Sequence, residues 1–429
     1  MMLRRIAKLF LLCVLGLAIA GCGKSGSSGS NSAHVRFMNA VVDAGPLNIT
    51  VGTKSVVTGL AFEGLTTYQE TDSGTQEYKV SVAGGSSTII DTSLSLSGDA
   101  QYTYVVFGTA SAPTSLIVAD ASTDPGSGLF FLRVTNAAFG NAALDVYVTT
   151  PGAPLDNASP NISNILLGAS SSFTQLTPGT LQVRMTLRNS KQVIYDAGTL
   201  TFNERTSYYM VAYTKGSSTL VNAALLNIDS TGSGSVVNSK IAQFKVIHAA
   251  PGTAAINAFV DGTVAFANIP YQGASSYSAL PAGTHAVTFQ TVTSPGAVIA
   301  SAQPALAAAT DTSIVVTGAP GAQTAVVLPD NNLPGTTGSA RVRFVNVAPN
   351  LGPVDVYVNF APRALALGSN AASGYVALVE DTYAINFDVA GTTTVVLNMP
   401  TVPFNAGHSY TIYLVGTTGQ LAGVVTRDN

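Results

Sequence analysis

The chain has 429 residues, of which 46% are hydrophobic and 10% are charged, with 19 Lys and Arg against 22 Asp and Glu. This apolar content alternates along the sequence, which excludes a disordered protein. The few basic residues do not cluster with aromatic ones, so nucleic acid is excluded as a partner.

The first segment, residues 1–21, has the pattern of a lipoprotein signal peptide. Two arginines and a lysine precede an apolar run from Leu9 to Ala20, which is too short to span a bilayer because a spanning helix needs about 20 residues. The run ends in Ile19-Ala20-Gly21-Cys22 and resembles the lipobox of bacterial lipoproteins. The resemblance implies cleavage before Cys22 and acylation of its thiol, for example with palmitate. The alternative is an ordinary secretory signal with an incidental cysteine.

Residues 22–32 are rich in Gly and Ser and are predicted to be a flexible tether. By resemblance to the sorting rule of diderm bacteria, Gly23 after the lipidated cysteine implies the outer membrane. Cleavage would leave 16 basic and 22 acidic residues, a net charge of −6. The other cysteine, Cys13, lies in the signal, so no disulfide and no thiolate metal site are expected in the folded part.

Four segments after the tether begin alike and define a repeat of roughly 100 residues. They are VRFMNA at Val35–Ala40, LRVTNA at Leu132–Ala137, FKVIHA at Phe244–Ala249 and VRFVNV at Val342–Val347. In each copy a basic residue precedes an Asn or His by three positions, and an Asx residue follows nine positions later. The basic residues are Arg36, Arg133, Lys245 and Arg343. The later pairs are Asn39 and Asn48, Asn136 and Asp145, His248 and Asn257, and Asn346 and Asp355.

Other positions recur as well. An aromatic residue stands in the middle of each copy, at Tyr68, Phe173, Tyr277 and Tyr375, and an aspartate stands near the end, at Asp120, Asp229, Asp330 and Asp428. The repeat predicts modules at residues 33–121, 129–230, 240–330 and 340–429. Their linkers are predicted at Ser122–Gly128, Thr231–Ser239 and Asn331–Ser339. Tandem modules of this kind are expected to share only modest interfaces. In the second copy an insertion around Pro151–Ser163 lengthens a loop.

The third copy illustrates the fold predicted for each module. Strands are predicted at Phe244–Ile247, Ile256–Val260, Val264–Ile269, His285–Thr291, Ser313–Thr317 and Ala325–Leu328. Asp261-Gly262 is a strong hairpin signal, and Ala305–Ala309, the best helix candidate, is interpreted as a turn. About seven short strands at this spacing are typical of an antiparallel sandwich. The predicted fold class is therefore all-β, with four tandem antiparallel β-sandwich modules of immunoglobulin-like or Greek-key type.

These motifs carry a family resemblance. In the third copy VIHAAPG, INAFVDG and LPAGTHAVTF, and in the fourth VRFVNVAPN and VDVYVN, are similar to the tandem repeats of bacterial envelope proteins called domain of unknown function 4397. The resemblance covers Ala33–Asn429. It implies extracytoplasmic β-sandwiches with no established activity. Three copies have Asn where the family often has His.

The repeated polar residues have two interpretations. Paired Asx residues could hold a hard cation, but each module offers at most one carboxylate there. The favoured interpretation is that the first residue caps a turn and the second satisfies a buried strand end. We therefore predict no metal site and no cofactor.

Two further sets have structural predictions. The tyrosines that open the penultimate strands, Tyr102, Tyr208 and Tyr410, are predicted to be tyrosine corners bonded to nearby backbone, with ligand stacking as the alternative. The repeated basic residues are predicted to lie on a solvated strand face or to cover apolar neighbours with their stems.

No HExxH, G-x-S-x-G, P-loop or EF-hand pattern is present, so no catalytic residue is predicted. The predicted function is a lipid-anchored, non-catalytic envelope protein with a structural, interaction or adhesion role. Its predicted partners are the membrane, through the N-terminal lipid, and an unidentified protein or glycan. One alternative is an array of carbohydrate-binding modules, against which the lack of Trp counts. The other is an enzyme with a site between modules.

Overall fold

The computed structural model describes residues 31–85, 87–215, 220–333 and 338–429. The predicted signal peptide, Cys22 and tether residues 22–30 lie outside these ranges. Every regular element of the described residues is a strand, which confirms the all-β prediction. Within the same ranges, the protein has no helix of the length and hydrophobicity needed to span a membrane.

The strands fall into four groups that follow the four copies of the repeat. Module one contains β1 Ser32–Val41, β2 Leu47–Val51, β3 Lys54–Leu60, β4 Gln69–Asp72, β5 Gly74–Val82, β6 Thr88–Leu96, β7 Gln101–Thr109 and β8 Ala112–Ala119. Module two contains β9 Phe130–Ala137, β10 Ala143–Thr149, β11 Ile162–Leu166, β12 Thr174–Leu176, β13 Gly179–Leu187, β14 Val193–Phe202, β15 Ser207–Thr214, β16 Val221–Asn227 and β17 Gly234–Val237.

Modules three and four repeat the pattern. Module three contains β18 Ile241–His248, β19 Ile256–Val260, β20 Thr263–Ile269, β21 Ser278–Pro281, β22 Gly283–Thr284, β23 Val287–Thr291, β24 Val298–Ala302, β25 Ala305–Leu306, β26 Asp311–Thr317 and β27 Thr324–Asp330. Module four contains β28 Ser339–Asn346, β29 Val354–Val358, β30 Ala361–Leu367, β31 Ala371–Ala372, β32 Val376–Val379, β33 Asp381–Val389, β34 Val395–Phe404, β35 Ser409–Thr417 and β36 Gln420–Arg427.

Each module is a sandwich of two sheets. In module one the first sheet has the order β4-β1-β7-β8 and the second β3-β2-β5-β6, and the other modules keep this order. The sheets are antiparallel except at one place per module, where the first strand pairs in parallel with the penultimate long strand, as β1 does with β7. In module one β1 lies between β4, with which it pairs antiparallel, and β7, with which it pairs in parallel. A parallel pair needs a crossover connection, and here the chain crosses to the second sheet for β5 and β6 before it returns at β7.

Strand burial differs between the two sheets. In β2, LNITV alternates between buried and half-buried positions, as expected when one face meets the core. In contrast, β15 and β26 are buried at every position. Both faces of the first sheet are therefore covered, one by the second sheet of the same module and the other by a neighbouring module.

Apolar cores also join the modules in pairs. Met38 and Phe107 of module one pack with Tyr209 and Val211 of module two in one buried cluster. A second cluster joins modules three and four and includes Ile247, Val315, Val345 and Tyr413. The expectation of modest interfaces was therefore wrong, because apolar residues on the outer face of the first sheet need cover as much as those on the inner face.

Several short strands differ from the sequence prediction. Part of the expected linker after module two forms β17, which pairs with β16 and widens the first sheet. In module three Ala305–Leu306, interpreted as a turn, pairs as β25 with β22. Strands of two to four residues, such as β17 and β25, escape a periodicity argument because they contain too few alternations to be recognised.

Candidate functional site

The first repeated polar residue fastens the end of the first strand to its surroundings. The buried amide of Asn39 donates to the carbonyl oxygens of Leu60 at 2.9 Å and of a turn residue at 3.2 Å, and its oxygen accepts the N–H of Val41 at 3.0 Å. Asn136 and Asn346 donate to the corresponding strand carbonyls at 3.0 and 3.2 Å. These bonds tie the strand both to its own turn and to the opposite sheet.

His248 occupies this position in module three and is fully buried. Its Nε2 lies 3.0 Å from the carbonyl oxygen of Ala254, and its Nδ1 accepts the N–H of Ala250 at 3.4 Å. These bonds suit the neutral ring, with the proton on Nε2. Burial lowers the pKa of His248 below its usual value.

The second repeated polar residue holds a bulge in the neighbouring edge strand. In each module the Asx oxygen accepts one backbone N–H, at 2.7 to 2.8 Å, from a residue with positive φ. The four pairs are Asn48 with Gly59, Asp145 with Asn164, Asn257 with Asn268, and Asp355 with Ala366. The register of the edge strand shifts there in every module, so the side chain takes up an N–H that the ladder leaves free.

The aspartates of modules two and four do more than the asparagines of modules one and three. The second oxygen of Asp355 accepts the N–H of Gly391 at 2.8 Å, and that of Asp145 accepts the N–H of Asn189 at 3.1 Å. The hydrogen bonds from the backbone N–H groups of Ala366 and Gly391 lower the pKa of Asp355. Because each oxygen already holds a backbone N–H, the cation interpretation gains no support at either aspartate. In the described ranges no three His, Cys, Asp or Glu residues group as metal ligands would.

The tyrosines that open the penultimate strands form the predicted corners. The hydroxyl oxygens of Tyr102, Tyr208 and Tyr410 each accept the backbone N–H of the residue five positions earlier, at 3.0, 3.1 and 3.2 Å. Their rings contribute to the cores or pack against them. The corner prediction is confirmed at all three.

The prediction that the repeated basic residues lie on a solvated strand face was wrong for three of the four, and Arg133 is half-buried. Arg36, Lys245 and Arg343 are 1%, 3% and 2% exposed. Each cation lies about 5 Å from the ring of the aromatic residue repeated in its own module, and Arg133 lies 3.9 Å from Phe173. The strand face that carries them is covered by the neighbouring module, and the ring partly replaces lost water.

Two buried ion pairs cross between modules three and four. Lys245 of module three pairs with Asp428 of module four, and Arg343 of module four pairs with Asp330 of module three. Asp330 also accepts hydrogen bonds from Ser313 at 2.7 Å and from a tyrosine hydroxyl of its own module. The exchange of charges is reciprocal, as expected for two copies of one sheet packed about a local two-fold axis.

Modules one and two use the same positions less symmetrically. Arg36 pairs with Asp120 of its own module at 3.1 Å and donates to the carbonyl oxygen of Asn227 in module two at 2.7 Å. In return, Arg133 donates to the carbonyl oxygen of Ala119 at 2.6 Å. Asp229, the matching aspartate of module two, is exposed. The repeat alone showed both the basic residue and the aspartate, but not their pairing, which lies within module one and crosses between modules three and four.

A polar cavity of about 510 Å³ opens on the second sheet of module two. Its walls include the end of the inserted loop near Ser159, strand β11 near Asn164 and the turn that contains Arg188 and Lys191. Sequence reasoning missed this cavity. The signal that could have found it was the insertion together with two cations in one short turn.

A comparison with protein-family models shows to which family the chain belongs. The model of the family described as domain of unknown function (DUF4397) matches residues 33–147, 242–357 and 348–429. These matches cover more than half of the sequence. The chain belongs to the DUF4397 family. The first match continues from module one through the opening strands of module two, and the second does the same from module three into module four.

No curated protein matches the sequence. Three solved structures that this chain resembles have sequence identities of 10–14% to it. The CBMbc module (family CBM26) of Eubacterium rectale Amy13K, in complex with maltoheptaose, is 14% identical, with 42% of this chain and 91% of that one covered and a TM-score of 0.15. The Bacillus anthracis TIE protein is 10% identical, with coverage of 86% and 65% and a TM-score of 0.15. A streptococcal ancillary pilin is 10% identical, with coverage of 68% and 99% and a TM-score of 0.14. At these scores the similarities carry no argument about this DUF4397 chain.

Proposed function

We propose that this protein is a lipid-anchored, non-catalytic component of the bacterial cell envelope, held at the outer membrane, with a structural or adhesive role. One observation carries the proposal. The repeated charged side chains of modules three and four join the two modules, and the repeated Asn, His and Asp side chains hold turns and bulges within each module, instead of being presented to a substrate. Arg343, Asp330, Lys245 and Asp428 are all buried between modules three and four.

The pairing of modules suits a scaffold. Modules one and two share one apolar cluster, and modules three and four share another. Two units that pack through a buried core and charged hydrogen bonds move little relative to each other, since interfaces of this kind resist hinge motion. A stiff array of sandwiches would carry its loops away from the membrane and present them to a partner.

The anchor is tested by exchanging its cysteine. Cys22→Ser should move the protein from the membrane pellet to the soluble fraction after a carbonate wash, because the thiol that would carry the lipid is gone. Cys13→Ser, placed in the signal itself, is the matched control and should leave the protein in the pellet. A Cys22→Ser protein that remains in the washed pellet would refute the anchor.

The scaffold role is tested on intact cells. Protease added to intact cells should cleave the chain if it is displayed on the cell surface. If the chain faces the periplasm, the protease should cleave it only after the cells are permeabilised. Loss of adhesion or of envelope integrity in a deletion strain, restored by the wild-type chain, would support the role. A deletion strain with an unaltered envelope and an altered small-molecule conversion would overturn the non-catalytic assignment.

A further inference from the structure

We propose that the cavity on module two binds a carboxylate-bearing sugar, such as a uronic acid residue of a glycan. This inference goes beyond the envelope role and does not depend on the lipid anchor. The cavity volume of about 510 Å³ is within the roughly 300–1,000 Å³ of small-molecule sites.

The walls of the cavity are held by bonds that need no ligand. Asp145 accepts the N–H of Asn164 on one wall and the N–H of Asn189 on the other, at 2.8 and 3.1 Å. On the third side Lys191 donates to the carbonyl oxygen of Ala158 at 2.5 Å, which fixes the inserted loop. A site built this way is formed in advance, so binding does not have to order it.

The groups left over can recognise an anion. Arg188 lines the cavity and is exposed, and among the described residues its guanidinium makes no ion pair or side-chain hydrogen bond. Lys191 adds a second positive charge. Among the residues that the structure describes, Asp145 is the only carboxylate lining the cavity, and its two oxygens are already engaged. A guanidinium fork is matched to a carboxylate, which it can bind through two parallel hydrogen bonds.

The remaining lining favours a sugar over an apolar ligand. Ser163, Asn164 and Asn189 are exposed there, and hydroxyl and amide groups both donate and accept, as sugar hydroxyls require. Lys191 covers the ring of Tyr147 with its ammonium 4.9 Å from the ring centre and 3.2 Å from the hydroxyl. A neutral sugar therefore has no open aromatic face on which to stack. The affinity for a sugar must then come from the positive charges of Arg188 and Lys191.

The cations belong to module two alone. The turn after β13 reads RNSKQ at residues 188–192. The corresponding turns of the other modules read AGGSS at 83–87, VTSPG at 292–296 and AGTTT at 390–394, without a charge. The insertion that builds the third wall also occurs only in this copy. If the two features were needed for the sandwich itself, the other three modules would require them as well.

The experiment is a titration of the full-length chain, purified in mild detergent, with trigalacturonate and with maltotriose as the neutral probe. We expect the acidic sugar to bind and the neutral one not to bind. Arg188→Ala should weaken binding by about tenfold or more, since a hydrogen bond to a charged group contributes roughly 1.5–3 kcal/mol. Arg363→Ala, which removes another exposed arginine, is the matched control and should bind as the wild type does.

A second variant guards against a general charge effect. Ser163→Trp fills the cavity without changing any charge, and it should abolish binding while the melting midpoint stays unchanged. Equal binding of the two sugars, equal losses in Arg188→Ala and Arg363→Ala, or full binding by Ser163→Trp would each overturn the proposal. Binding of hexaglutamate as strong as that of trigalacturonate would overturn the sugar assignment in favour of an acidic peptide.

Discussion

Arg343 on β28 and Asp330 at the end of β27 form an ion pair that joins modules three and four, and their side chains are 2% and 0% exposed. The same guanidinium donates to the hydroxyl of Thr411 and to the carbonyl oxygen of Pro329, both at 2.8 Å. Burial of two charges is costly unless the remaining hydrogen-bonding groups are satisfied. Here the surrounding hydroxyl, carbonyl and ring take over part of the role of water.

Removing the negative charge of Asp330 should therefore destabilise the folded protein strongly. We expect Asp330→Asn to lower the free energy of unfolding by ~3–5 kcal/mol, because it leaves the Arg343 charge buried and unpaired. The measurement is urea denaturation followed by circular dichroism, since the chain contains no Trp. A loss below ~1 kcal/mol would mean that the pair contributes no more than a surface contact does.

The matched control is an ion pair that faces water. Arg205 and Asp124 lie 2.5 Å apart and are 57% and 56% exposed. Asp124→Asn should change the free energy of unfolding by less than ~1 kcal/mol, because solvent screens the pair. A similar cost for both substitutions would show that burial is not the cause.

His248 makes module three sensitive to acid. Burial lowers the pKa of His248 in the folded protein below its usual value of 6.5, so the unfolded chain binds the proton more tightly. Its contribution to stability is present above pH 6.5 and is lost as the pH falls from there through the folded pKa. His248→Asn, which installs the residue of the other three copies, should reduce the fall in melting temperature between pH 7.5 and 5.

His285 works in the opposite direction and serves as the control. Although burial acts against it, the hydrogen bond to Asp261 raises the pKa of His285. Protonation of His285 therefore favours the folded state below the folded pKa. His285→Gln should steepen the loss of stability in acid. The explanation fails if His248→Asn keeps the full pH dependence of the wild type.

The structural features that could be predicted from the sequence are those determined by residues close together in the chain. The hairpin at Asp261-Gly262 and the corner at Tyr410 were predictable because a few adjacent residues determine each one. The repeat also predicted four sandwiches, since the same pattern of short strands returns each time.

The environment of Arg343 was not predictable in the same way. An alternating strand shows which side chains share a face, but it does not show whether that face meets water or another module. Asp330 lies 13 residues before Arg343, yet the pair belongs to two modules and forms only when their sheets pack. The cavity of module two was missed for a similar reason. Its walls come from residues near 145, 164 and 189, which only the folded sandwich brings together.

The tyrosine corner gives a third prediction. Tyr410→Phe removes the hydroxyl that accepts the N–H of Asn405, and we expect a loss of ~0.5–1.5 kcal/mol in the free energy of unfolding. Tyr383→Phe is the control, because its hydroxyl bonds to a carbonyl in an exposed setting, where water replaces the bond. If Tyr410→Phe and Tyr383→Phe lowered the stability equally in thermal or urea unfolding, the corner hydrogen bond would contribute no more than an exposed one.

The last prediction concerns the unit of unfolding. Ile247 belongs to module three but is buried in the cluster that module four shares. We expect Ile247→Ala to destabilise modules three and four together, by ~2–5 kcal/mol, because it opens a cavity in their common core. Hydrogen exchange should quicken both in β26 of module three and in β35 of module four. Amides in β7 of module one should be unchanged, since no described residue of that module belongs to the shared cluster. Faster exchange confined to module three would instead show that the modules unfold one at a time despite their common core.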